Sequence, residues 1–307
     1  MTEEFFYQKL TQIVSPQNIL RDEPMALHTT FRIGGPADYL VSPESAAELA
    51  AVRKLCTEEG VPSYIVGNGS NLLVADQGYR GVIIRVLKNM DRIEIEDDTI
   101  IVQAGALLSS IAAKALSASL AGFAFASGIP GTVGGACVMN AGAYGGELQD
   151  VLVKAEVLTP EGERKEFTPK ELKMGYRTSI IPAKGYLVTK AVLKLQHGNA
   201  DEIRGTMEEL REKRIAKQPL NFPSAGSTFK RPEGYFAGKL IEDAGLKGYR
   251  VGDAQVSEKH SGFVVNVGQA TAKDVRQLIL DVSDRVFTES GVRLVPEVKF
   301  LGEFSAE

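Results

Sequence analysis

The clearest periodicity in the chain lies near its C-terminal end. Val275, Leu278, Ile279, Val282 and Val286 fall at i, i+3, i+4, i+7 and i+11, which lays one apolar stripe along a helix. Thr271 and Asp274, three residues apart, resemble the capping box that would open it. A second helix is read over Ser42–Gly60, with Ser42 as N-cap, Pro43 at the first helical position, Leu49, Val52 and Cys56 on one face, and Gly60 as the stop. Leu107–Leu120 suggests a third. Ala200–Gln218 suggests a charged fourth, whose Ile203, Met207, Leu210 and Ile215 make only a narrow stripe. Strand patterns occupy Ser63–Val66, Gly81–Val86, Arg92–Glu96, Thr99–Gly105 and Tyr186–Leu195. Val151–Phe167 reads as a hairpin turning at Pro160–Gly162, and Val292–Gly302 as a final strand. Strands and helices mix without strict alternation, which predicts an α+β fold. The change of texture at His197–Ala200 marks a domain junction.

Composition narrows the function classes. At 307 residues the chain suits two or three domains. A net charge of −4 argues against a nucleic-acid binder, which carries a basic face. The sequence holds no long apolar span, and MTEEFFYQKL is acidic where a secretion signal is basic, so no membrane partner and a cytoplasmic location are expected. Cys56 and Cys137 are far apart with no CxxC spacing, and His28, His197 and His260 are scattered. Neither a disulfide framework nor a bound metal is expected.

Two glycine-rich loops carry the strongest chemical signal. VGNGSNLLV leaves the strand Ser63–Val66 directly, and its Gly67, Asn68, Gly69, Ser70 and Asn71 can turn successive N–H groups toward an anion. The run Gly128–Glu147 holds seven glycines with almost no charge. Neither loop is GxGxxG in a βαβ unit, and neither has the P-loop lysine. Each alone is equally well a tight turn beside a packed strand. Two of them in one domain, poor in cationic side chains, favour a pyrophosphate held by backbone N–H groups. Further along, Lys217, Ser227, Lys230 and Arg231 fall among prolines and glycine, and Tyr176 and Arg177 adjoin in MGYRTS. Glu297 interrupts an apolar stretch after a proline, either at a strand end in water or buried and paired. His260 stands at a strand entrance.

In order along the chain, TTFRIGGPADYLV, VGNGSNLLV, GIPGTVGGACVMNAGAYG, MGYRTSIIP, KRIAKQPLNFPSAGSTFKRP, GLKGYRVGDAQVSEKHSGFVVN and LVPEV resemble the UDP-N-acetylenolpyruvoylglucosamine reductase family in its shorter form. The resemblance covers about Thr29 to Val298. It implies a two-subdomain FAD-binding fold of the vanillyl-alcohol-oxidase (PCMH) type over 1–198, split near 62. A substrate-binding α/β domain over 199–295 and a tail, 296–307, returning to the flavin domain complete it. It implies non-covalent FAD, NADPH as co-substrate, UDP-N-acetylglucosamine enolpyruvate as substrate, no nucleic-acid partner, and a monomer. Matched to the family's motifs, Arg177 would stabilise charge on the substrate carboxylate, with Glu297 as a protonated donor and Ser227 as proton donor to the α-carbon. The FAD contacts implied are Gly67, Asn68, Gly69, Ser70, Asn71, Gly128, Gly131, Thr132, Gly134, Gly135, Asn140 and Ala143. Tyr144, Tyr176, Lys217, Lys230, Arg231 and His260 would meet the substrate, with Arg231 standing where longer members carry asparagine. A flavin oxidase of the same fold and a nucleotide-binding regulator are the rival readings.

Overall fold

A computed structural model describes residues 3–304. Among these, seven α-helices form: α1 (Glu3–Thr11), α2 (Ala46–Glu58), α3 (Leu108–Ser117), α4 (Val133–Met139), α5 (Ala200–Lys217), α6 (Ala237–Asp243) and α7 (Ala272–Ser290). None is long and apolar enough to cross a membrane. The chain divides into two compact units made of interleaved segments. The first takes residues 1–21, 39–68 and 81–213, and the second 22–38, 69–80 and 214–307. The expected order 1–198, 199–295, 296–307 is contiguous, whereas these units alternate along the chain, and α5 lies across the division at 213/214.

In the first unit an antiparallel sheet takes the order Arg164–Phe167, Leu152–Leu158, Leu187–Lys194, Thr99–Gln103, Ile93–Glu96. Its hydrophobic core joins Ile100, Val102, Ala191 and Leu193 of the sheet to Leu108 and Ile111 of α3 and to Val133 and Cys137 of α4. The stripe of α2 buries Leu49, Val52, Leu55 and Cys56 in the same core with Val41, Val82 and Ile84. Ser63–Val66 runs parallel to Tyr79–Arg85 and ends at the first glycine loop. In the second unit Ser224–Ser227, Phe263–Asn266, Ala254–Val256 and Arg250–Val251 form an antiparallel sheet in that order. Val275, Leu278, Ile279, Val282 and Val286 of α7 join Val256 and Val264 in its core.

The α7 reading holds to the residue: Thr271 Oγ1 accepts from the Asp274 N–H and the Asp274 carboxylate from the Thr271 N–H. Three readings need correction. The second helix begins at Ala46 with Ser45 as N-cap, because the Ser42 N–H is tied to the Asn18 carbonyl and holds the chain extended there. The third ends at Ser117, where Ser119 turns left-handed at φ 54°. The final strand is confined to Lys299–Leu301, parallel to Leu72–Val74. Before it, Pro296 has no N–H to give, and Val295 and Glu297 link to Lys230 and Thr228 in the segment that follows the strand Ser224–Ser227.

Candidate active site

The glycine run is not a plain loop. Thr132 caps the short helix α4 through a 3.3 Å bond from the Gly135 N–H, while the Val133 and Gly134 N–H groups donate to the carbonyls of Ala106 and Ala104. Many of its glycines are needed for packing against the chain itself: a Cβ at Gly134 would lie 3.0 Å from Ala104, and one at Gly146 2.8 Å from the Phe125 ring. Asn140 ends α4 left-handed (φ 42°) and fully buried. Its amide donates to Glu147 Oε2 at 3.0 Å and to the Gly175 carbonyl at 3.3 Å, and its oxygen accepts from the Gln149 N–H at 2.9 Å.

That bond to Gly175 is one of the side-chain bonds that tie down the turn carrying Arg177. Arg177 Nη2 donates to the Gly142 carbonyl at 2.9 Å and Ser179 Oγ to the Val138 carbonyl at 2.8 Å. Arg177 itself adopts φ 54°, as does Tyr144 in the glycine run. Left-handed geometry costs a non-glycine residue roughly 1–2 kcal/mol, so surrounding bonds must hold it. The guanidinium lies 5.2 Å from the centroid of the Tyr176 ring, and Tyr144 and Tyr176 are both exposed. The first unit thus brings Tyr144, Tyr176 and Arg177 onto the glycine run, with strain concentrated there.

In the second unit, backbone pairing does the positioning. Ser227 is exposed at the end of its strand, after a bulge in which Gly226 takes φ +76°. The next residue, Thr228, is fully buried, and its carbonyl accepts from the Glu297 N–H at 2.8 Å. Lys230 N–H donates to the Val295 carbonyl at 2.8 Å, and Asn71 Nδ2 to the Glu297 carbonyl at 3.2 Å. Ser227, Lys230 and Glu297 are therefore carried on adjoining extended segments, with Asn71 behind Glu297. Glu297 is half-buried, between the two alternatives its sequence context left open. Arg231 is turned onto its own loop, its Nε donating to the Tyr235 carbonyl at 3.2 Å and its guanidinium 4.0 Å from the Phe236 centroid. Lys217, at the end of α5, is exposed.

Comparison with known proteins decides among the readings these features allow. The model of an FAD binding domain matches residues 37–168, and that of the UDP-N-acetylenolpyruvoylglucosamine reductase C-terminal domain matches 218–301. UDP-N-acetylenolpyruvoylglucosamine reductase of Agathobacter rectalis is 55% identical over 97% of this chain and 99% of its own. That of Clostridioides difficile is 51% identical over 99% and 100%. The chain belongs to the UDP-N-acetylenolpyruvoylglucosamine reductase family. The crystal structure of the Thermus caldophilus reductase covers 91% of this chain and 98% of its own at a TM-score of 0.79 and 38% identity. A glucose oxidase variant of Phl p 4, 13% identical with a TM-score of 0.50, shares the fold alone.

FAD is the cofactor of this reductase family, and the first glycine loop fits its diphosphate. Gly67 backs onto Thr132, whose Oγ1 a Cβ would meet at 2.4 Å, and Gly69 (φ +61°) backs onto the His28 carbonyl, which a Cβ would meet at 2.0 Å. With its inner side packed in this way, no described residue accepts from the N–H groups of Asn68, Gly69 and Ser70. In the second loop, by contrast, the Gly134 and Gly135 N–H groups and the Asn140 amide are already used within the chain. Those three donors shape the site from within, and Thr132 Oγ1, which accepts from Gly135, keeps its own hydroxyl proton. Gly128 is exposed, and Gly131 and Ala143 are half-buried. Burial pushes the Cys137 thiol up to about 12, which suits a packed core residue and not a covalent flavin link. Asn140 and Ser179 as anchors of the Arg177 turn went unread in the sequence.

Proposed function

We propose that Arg177, Ser227 and Glu297 carry the chemistry of a reductase converting UDP-N-acetylglucosamine enolpyruvate to UDP-N-acetylmuramate. The chain is an FAD-dependent oxidoreductase with NADPH as reductant, acting in peptidoglycan synthesis. When bound, FAD accepts a hydride from NADPH and supplies one to the β-carbon of the enolpyruvyl group. That group is an electron-rich enol ether, so the added hydride leaves negative charge on the α-carbon and its carboxylate. Arg177 holds the carboxylate and meets this charge with charge-assisted hydrogen bonds. Glu297, protonated, shares that task, and Ser227 gives its hydroxyl proton to the α-carbon. Lys217 and Lys230 bind the diphosphate, and Tyr144, Tyr176, Arg231 and His260 line the substrate. The backbone N–H groups of Asn68, Gly69 and Ser70 bind FAD, with Gly67, Asn71, Gly128, Gly131 and Ala143 around it. A cytoplasmic monomer is the working form we propose.

The observation that supports this reading is the Glu297 N–H bond to the carbonyl of Thr228, the chain neighbour of the exposed Ser227. The test is NADPH consumption with and without the enolpyruvyl sugar nucleotide, each measured anaerobically and in air. Consumption that requires the sugar nucleotide supports the reductase. Rapid consumption that requires oxygen and ignores the nucleotide supports a flavin oxidase, and binding without consumption supports a regulator.

A further inference from the structure

Within the second unit the His260 ring is fixed from several sides. Its Nδ1 accepts from the Gly262 N–H at 3.1 Å, so in the neutral ring the proton is on Nε2. Phe263 meets it edge-on with centroids 5.0 Å apart. Gly238 and Gly262 flank it so closely that a Cβ would come 3.4 Å and 3.0 Å, respectively, from Cε1. Burial holds its pKa below the usual histidine value, against a hydrogen bond with its own backbone and the Glu242 carboxylate and with a smaller push from the Lys217 ammonium, so it is neutral at pH 7. Among the described residues nothing accepts from Nε2–H. The chain neighbours of His260 and Lys217 are also incompletely bonded. Ser261 Oγ, in a residue 5% exposed, and Gln218 Oε1, next to Lys217, are buried without a partner. Polar groups left in that state are costly, and such sites accept ligands or rearrange around them.

We infer that His260 Nε2–H is a phosphate donor, which together with the Lys217 ammonium holds the diphosphate of the sugar nucleotide, Gly262 setting the tautomer. The inference rests on the reductase reading and deepens it. An acceptor shared by an exposed ammonium and an N–H within its electrostatic reach is anionic. A nucleobase carbonyl would satisfy the imidazole and leave the ammonium without counter-charge. A neutral imidazole donates here without setting a second positive charge against Lys217.

The test is calorimetric titration of the FAD-loaded protein with UDP and with uridine. His260→Ala is expected to weaken UDP about 10- to 100-fold, the worth of a hydrogen bond to a charged group, and to leave uridine unchanged. His260→Gln, whose amide nitrogen falls near Nε2, recovers most of the loss, and His260→Asn, which mimics Nδ1, does not. Gly262→Ala crowds the ring and weakens UDP with the histidine still present. Unchanged UDP binding by His260→Ala overturns the inference, as does an equal loss for UDP and uridine, which would move the contact to the base. Should His260→Ala melt early, the contrast between Gln and Asn decides the same question. Lys217→Ala separates the inference from the reading beneath it. Loss with Lys217→Ala alone removes only His260, whereas wild-type protein that does not bind UDP removes the reductase reading itself.

Discussion

The turn at 174–179 closes on its own backbone between Gly175 and Thr178, and side chains tie it to the glycine run: Asn140 reaches Gly175, Arg177 reaches Gly142, and Ser179 reaches Val138. The segment 227–230 is held chiefly by backbone: Thr228 and Lys230 pair with Glu297 and Val295, and Thr228 N–H donates to the Gly262 carbonyl while its buried Oγ1 accepts from the Val264 N–H. In the first region the residues that would act on substrate also hold the loop. In the second, the side chain of Ser227 is carried on a frame that does not depend on it. A substitution at Ser227 therefore reports on chemistry alone, and one around Arg177 mixes chemistry with local structure.

The largest effect expected from this contrast is kinetic. Ser227→Ala should leave reduction of the bound flavin by NADPH near the wild-type rate. It should slow reoxidation by the enolpyruvyl substrate by roughly 10²–10⁴-fold, the usual contribution of general acid catalysis. Cysteine in its place, with an acidic proton and similar size, should recover part of the rate. The melting temperature should not move, since the hydroxyl is exposed and bonds to no described residue. Anaerobic stopped-flow with each half-reaction measured separately decides this. A wild-type reoxidation rate in the alanine variant removes Ser227 as the acid.

Asn140→Ala is the converse case. It removes a buried amide that serves Gly175, Glu147 and Gln149, and puts alanine in a left-handed position. A loss of about 3 kcal/mol in denaturant unfolding is expected, from orphaned buried partners plus backbone strain. Both half-reactions should suffer together, because the glycine run and the Arg177 turn loosen as one. If this variant unfolds with the wild type, the turn is held by backbone after all and the contrast fails.

How much of this could be read in the sequence follows the same division. Helix α7 was legible to its capping box because every signal for it is local: Thr271, Asp274 and the apolar stripe. The start of α2 was misread because the bond that excludes Ser42 comes from Asn18, far along the chain. Helix α4 went unseen because its sequence, Val-Gly-Gly-Ala-Cys-Val-Met, opens with residues of low helix propensity, and tertiary bonds to Ala104 and Ala106 supply what propensity does not. The candidate site was legible as residue types through the family's motifs. The second glycine loop was read as a phosphate cradle, yet many of its glycines answer to the chain's own packing. Glycine density reports a close approach and does not say by what.

A smaller effect tests a side-chain anchor inside the second unit. Asp76 accepts from the Ala272 and Lys273 N–H groups at 2.7 and 3.0 Å, satisfying the first turn of α7 from a distant loop. Asp76→Ala should cost about 1 kcal/mol, the typical value of an N-terminal cap, read as a lower denaturant midpoint at unchanged slope. Because α7 also keeps its own Thr271–Asp274 box, a loss above about 2 kcal/mol would mean that the long-range anchor, not the local cap, dominates.

The smallest expected effect is a pH dependence at His260, and its sign follows from burial. The folded protein holds this imidazole neutral chiefly by burial, opposed by a hydrogen bond with its own backbone and by Glu242, with Lys217 adding the smallest push. The unfolded chain takes up a proton near the ordinary value of about 6.5. Below that pH the unfolded state binds more protons than the folded one, so stability is lost as pH falls from about 6.5 toward the lower folded value. Above about pH 7 the contribution is complete and flat. His260→Gln cannot titrate, so its melting temperature should fall less than that of wild type between pH 7.5 and 5.5, once other groups common to both are subtracted. Partial exposure of the ring keeps the difference small, which is why the comparison needs paired melts and not a single profile. A wild-type–variant difference that is the same at both pH values would show that the folded ring is as easily protonated as the unfolded one. In that case the fixed neutral tautomer, with Gly262 donating to Nδ1, is not the state of the protein in solution.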